Sequence, residues 1–326
     1  MDTRPYILSN EDMSPLDKRI IQALRIDGRR SFRSLAHELG IAQRQIRHRV
    51  TELLDAGIVA ITVVGNPSVL GYRATAIVAL KTDGRRPLPD VALEVAEVAS
   101  VDYVNVTSGR FDIFAQLVAR DLEGLRRQLE SEILLIDGVV NSELFPYRYL
   151  HFYEALSDRP SALVSQEKAS GDLTIDGLDE KIITELSADG RIPLSEIADK
   201  VATSETQIRR RLKRLTDAHA IRVVGVVNPV TAGYRTIARL GVKVSAGHRV
   251  SDVADALAAI PAIAYIAVCI GRYDMFCELV CVDIDELDAV LDNQIQLTKG
   301  VERCEAFLHI APLLYRPMRP RRNSHS

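Results

Sequence analysis

Two hydrophobic rhythms take turns along this chain. Ile20, Ile21 and Leu24 share one face of a first helix, opened by Ser14 as a cap with Pro15 at the first helical position. Asp27-Gly28-Arg29 stops that helix. Ser31 begins a second one with Leu35, Ala36 and Leu39 inward, and Gly40 closes it. Ile46, Val50 and Leu53 recur at i, i+4 and i+7, so a third helix over about 43–56 carries one apolar stripe. The stretch from Gly57 to Gly65 is β-rich, either a small wing or a linker strand, and Asn66-Pro67 breaks it. The rhythm then changes. Strands are expected at 75–81, 101–106, 111–118 and 139–152, with helices at 90–99 and about 122–136. The order β-α-β-β-α-β predicts a ferredoxin-like sheet.

The whole pattern then recurs at an offset of 162 residues, as from Leu16 to Leu178. Asp27-Gly28-Arg29 matches Asp189-Gly190-Arg191, and Gly71-Tyr72-Arg73 matches Gly233-Tyr234-Arg235. Gly109-Arg110-Phe111-Asp112 matches Gly271-Arg272-Tyr273-Asp274, and Phe145 matches Phe307. No gap is needed between these anchors, so the chain holds two copies of one two-part module. The expected fold class is α+β. Each module is a (winged) helix-turn-helix domain followed by a ferredoxin-like βαββαβ domain. The boundaries are 14–64 and 65–156, a polar linker at 157–175, then 176–226 and 227–317, with a basic tail at 318–326.

The third helices carry the candidate chemistry. With Ile46, Val50 and Leu53 inward, Gln43, Arg44, Arg47, His48 and Thr51 face out. In the second copy the stripe is Ile208, Leu212 and Leu215, and the outward set is Glu205, Thr206, Arg209, Arg210 and Lys213. Arg49 and Arg211 sit on the flank. A short helix, a glycine-containing turn and a second helix with a basic face is the arrangement that lays its second helix in the major groove. Arginine suits that task because its fork pairs with guanine or clamps phosphate. A merely solvated face is the plainer alternative, and duplication at constant spacing argues against it. Gln43, Arg44, Arg47, His48, Arg49, Thr51, Thr206, Arg209, Arg210, Arg211 and Lys213 are therefore the candidate DNA-contacting residues.

Composition narrows the reading. Hydrophobic residues make up 47% and charged residues 26%, ordinary globular usage. The formal net charge is -3, so contact with nucleic acid must come from a local patch. All four cysteines lie in the second half, too few for a disulfide scaffold, and buried thiols are expected instead of a metal site. No signal peptide or bilayer-length apolar run is visible, and a cytoplasmic location is expected.

Taken together, the Leu-Asp start, Asp-Gly-Arg, the arginine-bearing third helix, Asn-Pro-x-x-x-Gly-Tyr and the Gly-x-x-Asp hairpin resemble the Lrp/AsnC regulators, over nearly the whole chain and twice. That resemblance implies a transcription regulator with an effector, an amino acid by class, bound near the hairpin. It also implies dimers or rings; with two modules per chain, the expected unit is a covalent pseudo-dimer that assembles further as a homo-oligomer. Double-stranded DNA is the expected macromolecular partner, and no cofactor, metal or membrane is expected. The candidate effector residues are Thr107, Ser108, Gly109, Asp112, Gly271 and Asp274. From the residues alone, Gly109 allows a tight turn and close approach, and Asp112 can accept from backbone amides or from a ligand ammonium. Thr107-Ser108 becomes Cys269-Ile270 in the second copy, so equal sensing by both is not expected.

Two alternatives share the fold. Some sirohaem decarboxylases resemble the same module, and that class needs histidines and arginines inside the sensor cleft. His248 and His309 occur in one copy only, against Arg86 and Tyr147, so no enzyme is expected. The other alternative is an architectural DNA-binding protein without a ligand.

Overall fold

The computed structural model describes residues 13–65, 72–153, 173–229, 231–310 and 314–315. The expected tail, Asn66-Pro67, Gly71 and the linker before residue 173 lie outside these. In chain order the first module has α1 (Pro15–Ile26), α2 (Phe32–Leu39), α3 (Gln43–Asp55) and β1 (Val59–Gly65). Its sheet domain has β2 (Ala74–Thr82), α4 (Leu88–Glu97), β3 (Val101–Val106), β4 (Ile113–Ala119), α5 (Leu122–Gln128) and β5 (Val139–Tyr153). The second module repeats them as α6 (Gly177–Ala188), α7 (Leu194–Lys200), α8 (Glu205–Asp217) and β6 (Ile221–Val227). Then come β7 (Thr236–Val244), α9 (Val250–Ala258), β8 (Ile263–Cys269), β9 (Met275–Cys281), α10 (Ile284–Val290), β10 (Val301–Leu308) and β11 (Leu314–Tyr315). Helix α4 starts at Leu88, two residues before its expected start, because Pro89 is tolerated in a first turn where no N–H partner is needed. No helix among the described residues is long and apolar enough to cross a membrane.

The chain sorts into two compact units, and each contains half of both modules. The first joins the described parts of Glu11–Gly71 and Glu167–Ala232, the helical heads. Ser14 caps α1 by accepting from the Asp17 amide, and Ile20, Ile21, Leu24, Leu35, Ile46, Val50 and Leu53 are buried as expected. In the second head Ile208 and Leu215 are buried but Leu212 is only half buried. The bed there is smaller, with half-exposed Val201 where the first head has buried Leu39.

Strand β1 is neither a hairpin wing of its own head nor a linker. It pairs antiparallel with β6, and Thr62 faces Val224, its own counterpart, at the centre of the ribbon. The pairing is therefore pseudo-two-fold. The Asp-Gly-Arg turns reinforce it. Gly28 donates its N–H to Val223 and Gly190 donates to Ile61, both at 2.8 Å. The Arg29 guanidinium reaches the Gly190 and Ile192 carbonyls, and Arg191 reaches that of Arg30. A motif that reads locally as a helix stop is the lock between heads.

The second unit joins the described parts of Tyr72–Gln166 and Gly233–Arg316, the sensors. Nine strands run in the order β10-β7-β9-β8-β5-β2-β4-β3-β11. The long β5 serves both modules, pairing with β2 through its first half and with β8 through its second. The C-terminal segment answers it. After β10 it bridges Thr107 through His309, and β11 pairs with β3. Both outer strands thus belong to one segment, and the crossing covers edges that would otherwise be open. Each half keeps a helix-covered core, around Val78, Leu80, Val95 and Leu117 in one and Leu240, Val242, Leu257 and Leu279 in the other. Between the sheets lies a third core of Phe111, Phe114, Phe145, Tyr273, Phe276 and Phe307, with rings edge-on or tilted.

Candidate nucleic-acid interface and sensor hairpins

The presentation of α3 follows from what holds its flank. Asp17 is buried on α1 and accepts from both Nε and Nη2 of Arg49, which also reaches Glu52 at 2.8 Å. Burial works to raise the Asp17 carboxyl, and the hydrogen bonds from Arg49 and Ser14 outweigh it and bring it below its ordinary value. Arg49 therefore fixes α3 against α1. In the second head Asp179 takes the place of Asp17, and Arg211 and Arg214 both pair with it, Arg211 reaching Asp176 as well. The two flank arginines act within their own heads.

The outward residues differ between the heads. Gln43, Arg44, Arg47, His48 and Thr51 are all exposed on α3. Arg47 lies over the Phe32 ring at 5.4 Å, and Arg191 of the other head covers the same ring at 4.7 Å. His48 sits 3.1 Å from Glu52. Arg44 and Arg47 make no ion pair among the described residues. On α8, Arg209 pairs with Glu205 and Lys213 with Asp217, each one turn apart. Thr206 and Arg210 are exposed. The first face presents open positive charge, and much of the second is neutralised by its own carboxylates.

In the sensor unit the candidate hairpins are already engaged. Asp112 accepts from Lys81 Nζ at 2.7 Å, the Thr82 amide at 2.7 Å and the Thr82 hydroxyl at 3.1 Å. Asp274 does the same with Lys243 and the Val244 amide. Both carboxylates tie a hairpin to its own sheet. The Thr107 hydroxyl donates to the Phe111 carbonyl, and the Ser108 amide donates to Leu308. Gly109 and Gly271 have φ of 108° and 146°, and the ring that approaches them is Phe307 and Phe145 respectively. Arg110 pairs with Glu305 at 3.2 Å and Arg272 with Glu143 at 3.1 Å, so each hairpin is clasped by the other module. The second turn has lost its hydroxyls: Cys269 is buried, its thiol pushed up to about 12 by burial, and Ile270 is exposed.

Sequence reasoning missed a group of polar residues between the sensor sheets: Asp102, Asn105, Gln116, Arg239, Glu278 and, as a group member, His309. Their signal was present in the repeat. Arg239 replaces Ile77 and Glu278 replaces Gln116, two charged residues entering otherwise apolar strands together. His248, by contrast, is exposed.

Known proteins resemble the chain in the same two parts. An AsnC-type helix-turn-helix domain matches residues 13–54 and 175–216, and an Lrp/AsnC ligand binding domain matches 75–146 and 237–318. An uncharacterized HTH-type transcriptional regulator of Pyrococcus furiosus is 33% identical over 132 residues, 40% of this chain and 88% of that protein. The HTH-type transcriptional regulator FL11 of the same organism is 36% identical over 129 residues, 39% of this chain and 84% of its own. Among solved structures, the siroheme decarboxylase NirDL in co-complex with an iron-uroporphyrin III analogue superposes with a TM-score of 0.65 at 18% identity, covering 94% of this chain and 95% of that one. That likeness is one of fold, and it extends across both modules.

Proposed function

The chain belongs to the Lrp/AsnC family, and from that membership we propose that it is a sequence-specific transcription regulator of the cytoplasm whose grip on double-stranded DNA is set by a small effector, an amino acid or a close chemical relative. The observation that carries this reading is the open basic face of α3, Arg44 and Arg47 above all, on a helix held by the Arg49–Asp17 pair. Phosphate contacts supply affinity and salt dependence, and Arg44 and Arg47 with Gln43 read base edges. The second head, with Arg209 tied to Glu205, contributes Thr206, Arg210 and Lys213 chiefly to the backbone. Because the heads are locked as a pair, the natural target is two unequal half-sites. An effector acts by binding one arrangement of the protein better than another. Further assembly is supported by Leu135 and Leu297, equivalent positions that are both largely exposed.

The test is recovery of genomic DNA on the purified full chain, with and without a mixture of amino acids. Enrichment of a shared sequence, altered by the mixture, is the expected result. Recovery without any sequence preference would leave an architectural protein instead.

A second reading, an enzyme acting on a tetrapyrrole, is favoured by one observation: Arg239 and the ring of His309 both lie inside the sensor unit. Adding an iron-uroporphyrin and recording its absorbance separates the two. An unchanged spectrum removes the enzyme.

A further inference from the structure

The inner faces of the two sensor sheets change character along their strands. On those faces Phe114 is followed two residues later by Gln116, Phe276 by Glu278, Phe145 by Tyr147 and Phe307 by His309. The phenylalanines form the apolar core, and the residues beyond them form a polar layer. Strand register aligns Ile77, Gln116 and Tyr103 across the first sheet, and Arg239, Glu278 and Tyr265 across the second. Two hydrogen bonds span the gap. Tyr103 donates to Glu278 at 2.9 Å, and its counterpart Tyr265 donates to Gln116 at 3.3 Å. Tyr147 also donates to Gln116, at 2.7 Å.

The layer is not filled by its own hydrogen bonds. Among the described residues, both amide atoms of Asn105, both ring nitrogens of His309, Arg239 Nε and Asp102 Oδ1 are buried without a partner. A buried polar group left unsatisfied is unfavourable, so these four residues call for an occupant. Their chemistry says which. Arg239 lies over the Tyr103 and Phe114 rings and reaches Glu278 through Nη2 at 3.4 Å, which leaves its Nε without a hydrogen-bond partner. It is permanently cationic. Asn105 and His309 each offer a donor and an acceptor. Burial pushes the Asp102 carboxyl up to about 7, which makes it a donor in mildly acidic solution.

We propose that this polar layer between the sensor sheets binds a compact carboxylate carrying a neighbouring amino or hydroxyl group, with the carboxylate on Arg239 and the second group on Asn105 and His309. The proposal rests on the sensing reading and moves it from the hairpins, whose aspartates already bond their own sheets, to the interior. It also explains a divergence within the duplication. The first module keeps Ile77 and Gln116, and the second holds a charge-balanced Arg239 and Glu278. The occupant is met asymmetrically, by one charged wall and one neutral wall.

The duplication supplies its own test variants. Arg239→Ile with Glu278→Gln copies the first module's row and keeps net charge, and Asn105→Ala copies Ala267 of the second. Thermal unfolding of the full chain is measured with millimolar glycine, alanine, serine, glycolate and lactate, one at a time. At least one of these is expected to raise the melting temperature by roughly 2–4 °C near saturation, and both variants are expected to lose that shift. No shift with any of the five, or an undiminished shift in both variants, would overturn the site. Protection by iron-uroporphyrin III that depends on Arg239, without protection by the small acids, would overturn it as well. DNA recovery by the same variants is scored separately. Loss of sequence preference in the wild type with the acid shift intact would remove the regulator reading and leave the site standing.

Discussion

Gly190 donates its backbone N–H to the Ile61 carbonyl at 2.8 Å, and a Cβ on Gly190 would stand 2.8 Å from that same oxygen. The turn that ends a helix in one head is thus seated on the ribbon strand of the other. Backbone cannot yield as a side-chain tip can, so Gly190→Ala is expected to cost about 1–3 kcal/mol. The midpoint of urea unfolding reads this, and Gly177→Ala, with open space at its Cβ, is the control. A wild-type midpoint in Gly190→Ala would mean the heads are not locked there.

Where the first head ends α2 and the turn after α3 with Gly40 and Gly57, the second has Ala202 and His219, and all four adopt positive φ. The left-handed conformation costs a residue with a Cβ roughly 1–2 kcal/mol. Ala202→Gly and His219→Gly are each expected to stabilise the protein by somewhat less than that, since glycine also gains unfolded-state entropy. Denaturant titration of both single variants checks the sign. Destabilisation by either would contradict the backbone reading.

The two heads should not respond alike to loss of arginine. Arg47→Ala is expected to weaken binding to the preferred DNA by about 1–3 kcal/mol, with little change in unfolding. Arg209→Ala should lose less, because Glu205 already neutralises that guanidinium. Arg49→Ala should do the reverse of Arg47→Ala. It leaves the buried Asp17 carboxylate with the Ser14 hydroxyl but without its cation, costing about 2 kcal/mol of stability; partial exposure of Arg49 keeps this below the cost of breaking a fully buried pair. Fluorescence anisotropy at two salt concentrations, beside a melting curve, separates these outcomes. Equal affinity in wild type and Arg47→Ala would take α3 out of the interface.

Asp102 sets an unusual pH dependence. Its ordinary value of 3.8 is raised to about 7 by burial, while Gln116 works the other way. The native state keeps a proton that the unfolded chain has lost, so its contribution is full below pH 3.8 and disappears as pH rises through 7. Asp102→Asn retains an acceptor for Gln116 and cannot ionise. The variant should match wild type near pH 4 and exceed it at pH 8, on the order of 2–4 kcal/mol. His309 runs oppositely. Burial first, then Arg239, pulls it down to about 3, so its contribution is present above 6.5 and is lost as pH falls toward 3. Stability measured from pH 4 to 8 should therefore rise with pH in the Asn variant and be flatter in wild type. Parallel curves would place the Asp102 proton elsewhere.

Everything carried by short-range spacing was legible in the amino-acid order. The period of Ile46, Val50 and Leu53 and the Ser14-Pro15 cap are local, and local geometry decides them. So does the βαββαβ succession. The constant offset between Leu16 and Leu178 was enough to establish the duplication and, with the motifs it repeats, the family. What the order could not reveal was which module each bond belongs to. The Asp-Gly-Arg turn looks like a stop signal until Gly190 meets Ile61. The strand after α3 looks like a wing until Thr62 faces Val224. Asp112 looks open to a ligand until Lys81 and Thr82 close on it. Arg239 stands in an apolar strand with no visible partner until the crossing of β5 and the C-terminal segment puts a second sheet over it. Periodicity tells a side chain which face to take, and only the folded pairing of two equivalent sheets tells it what stands opposite.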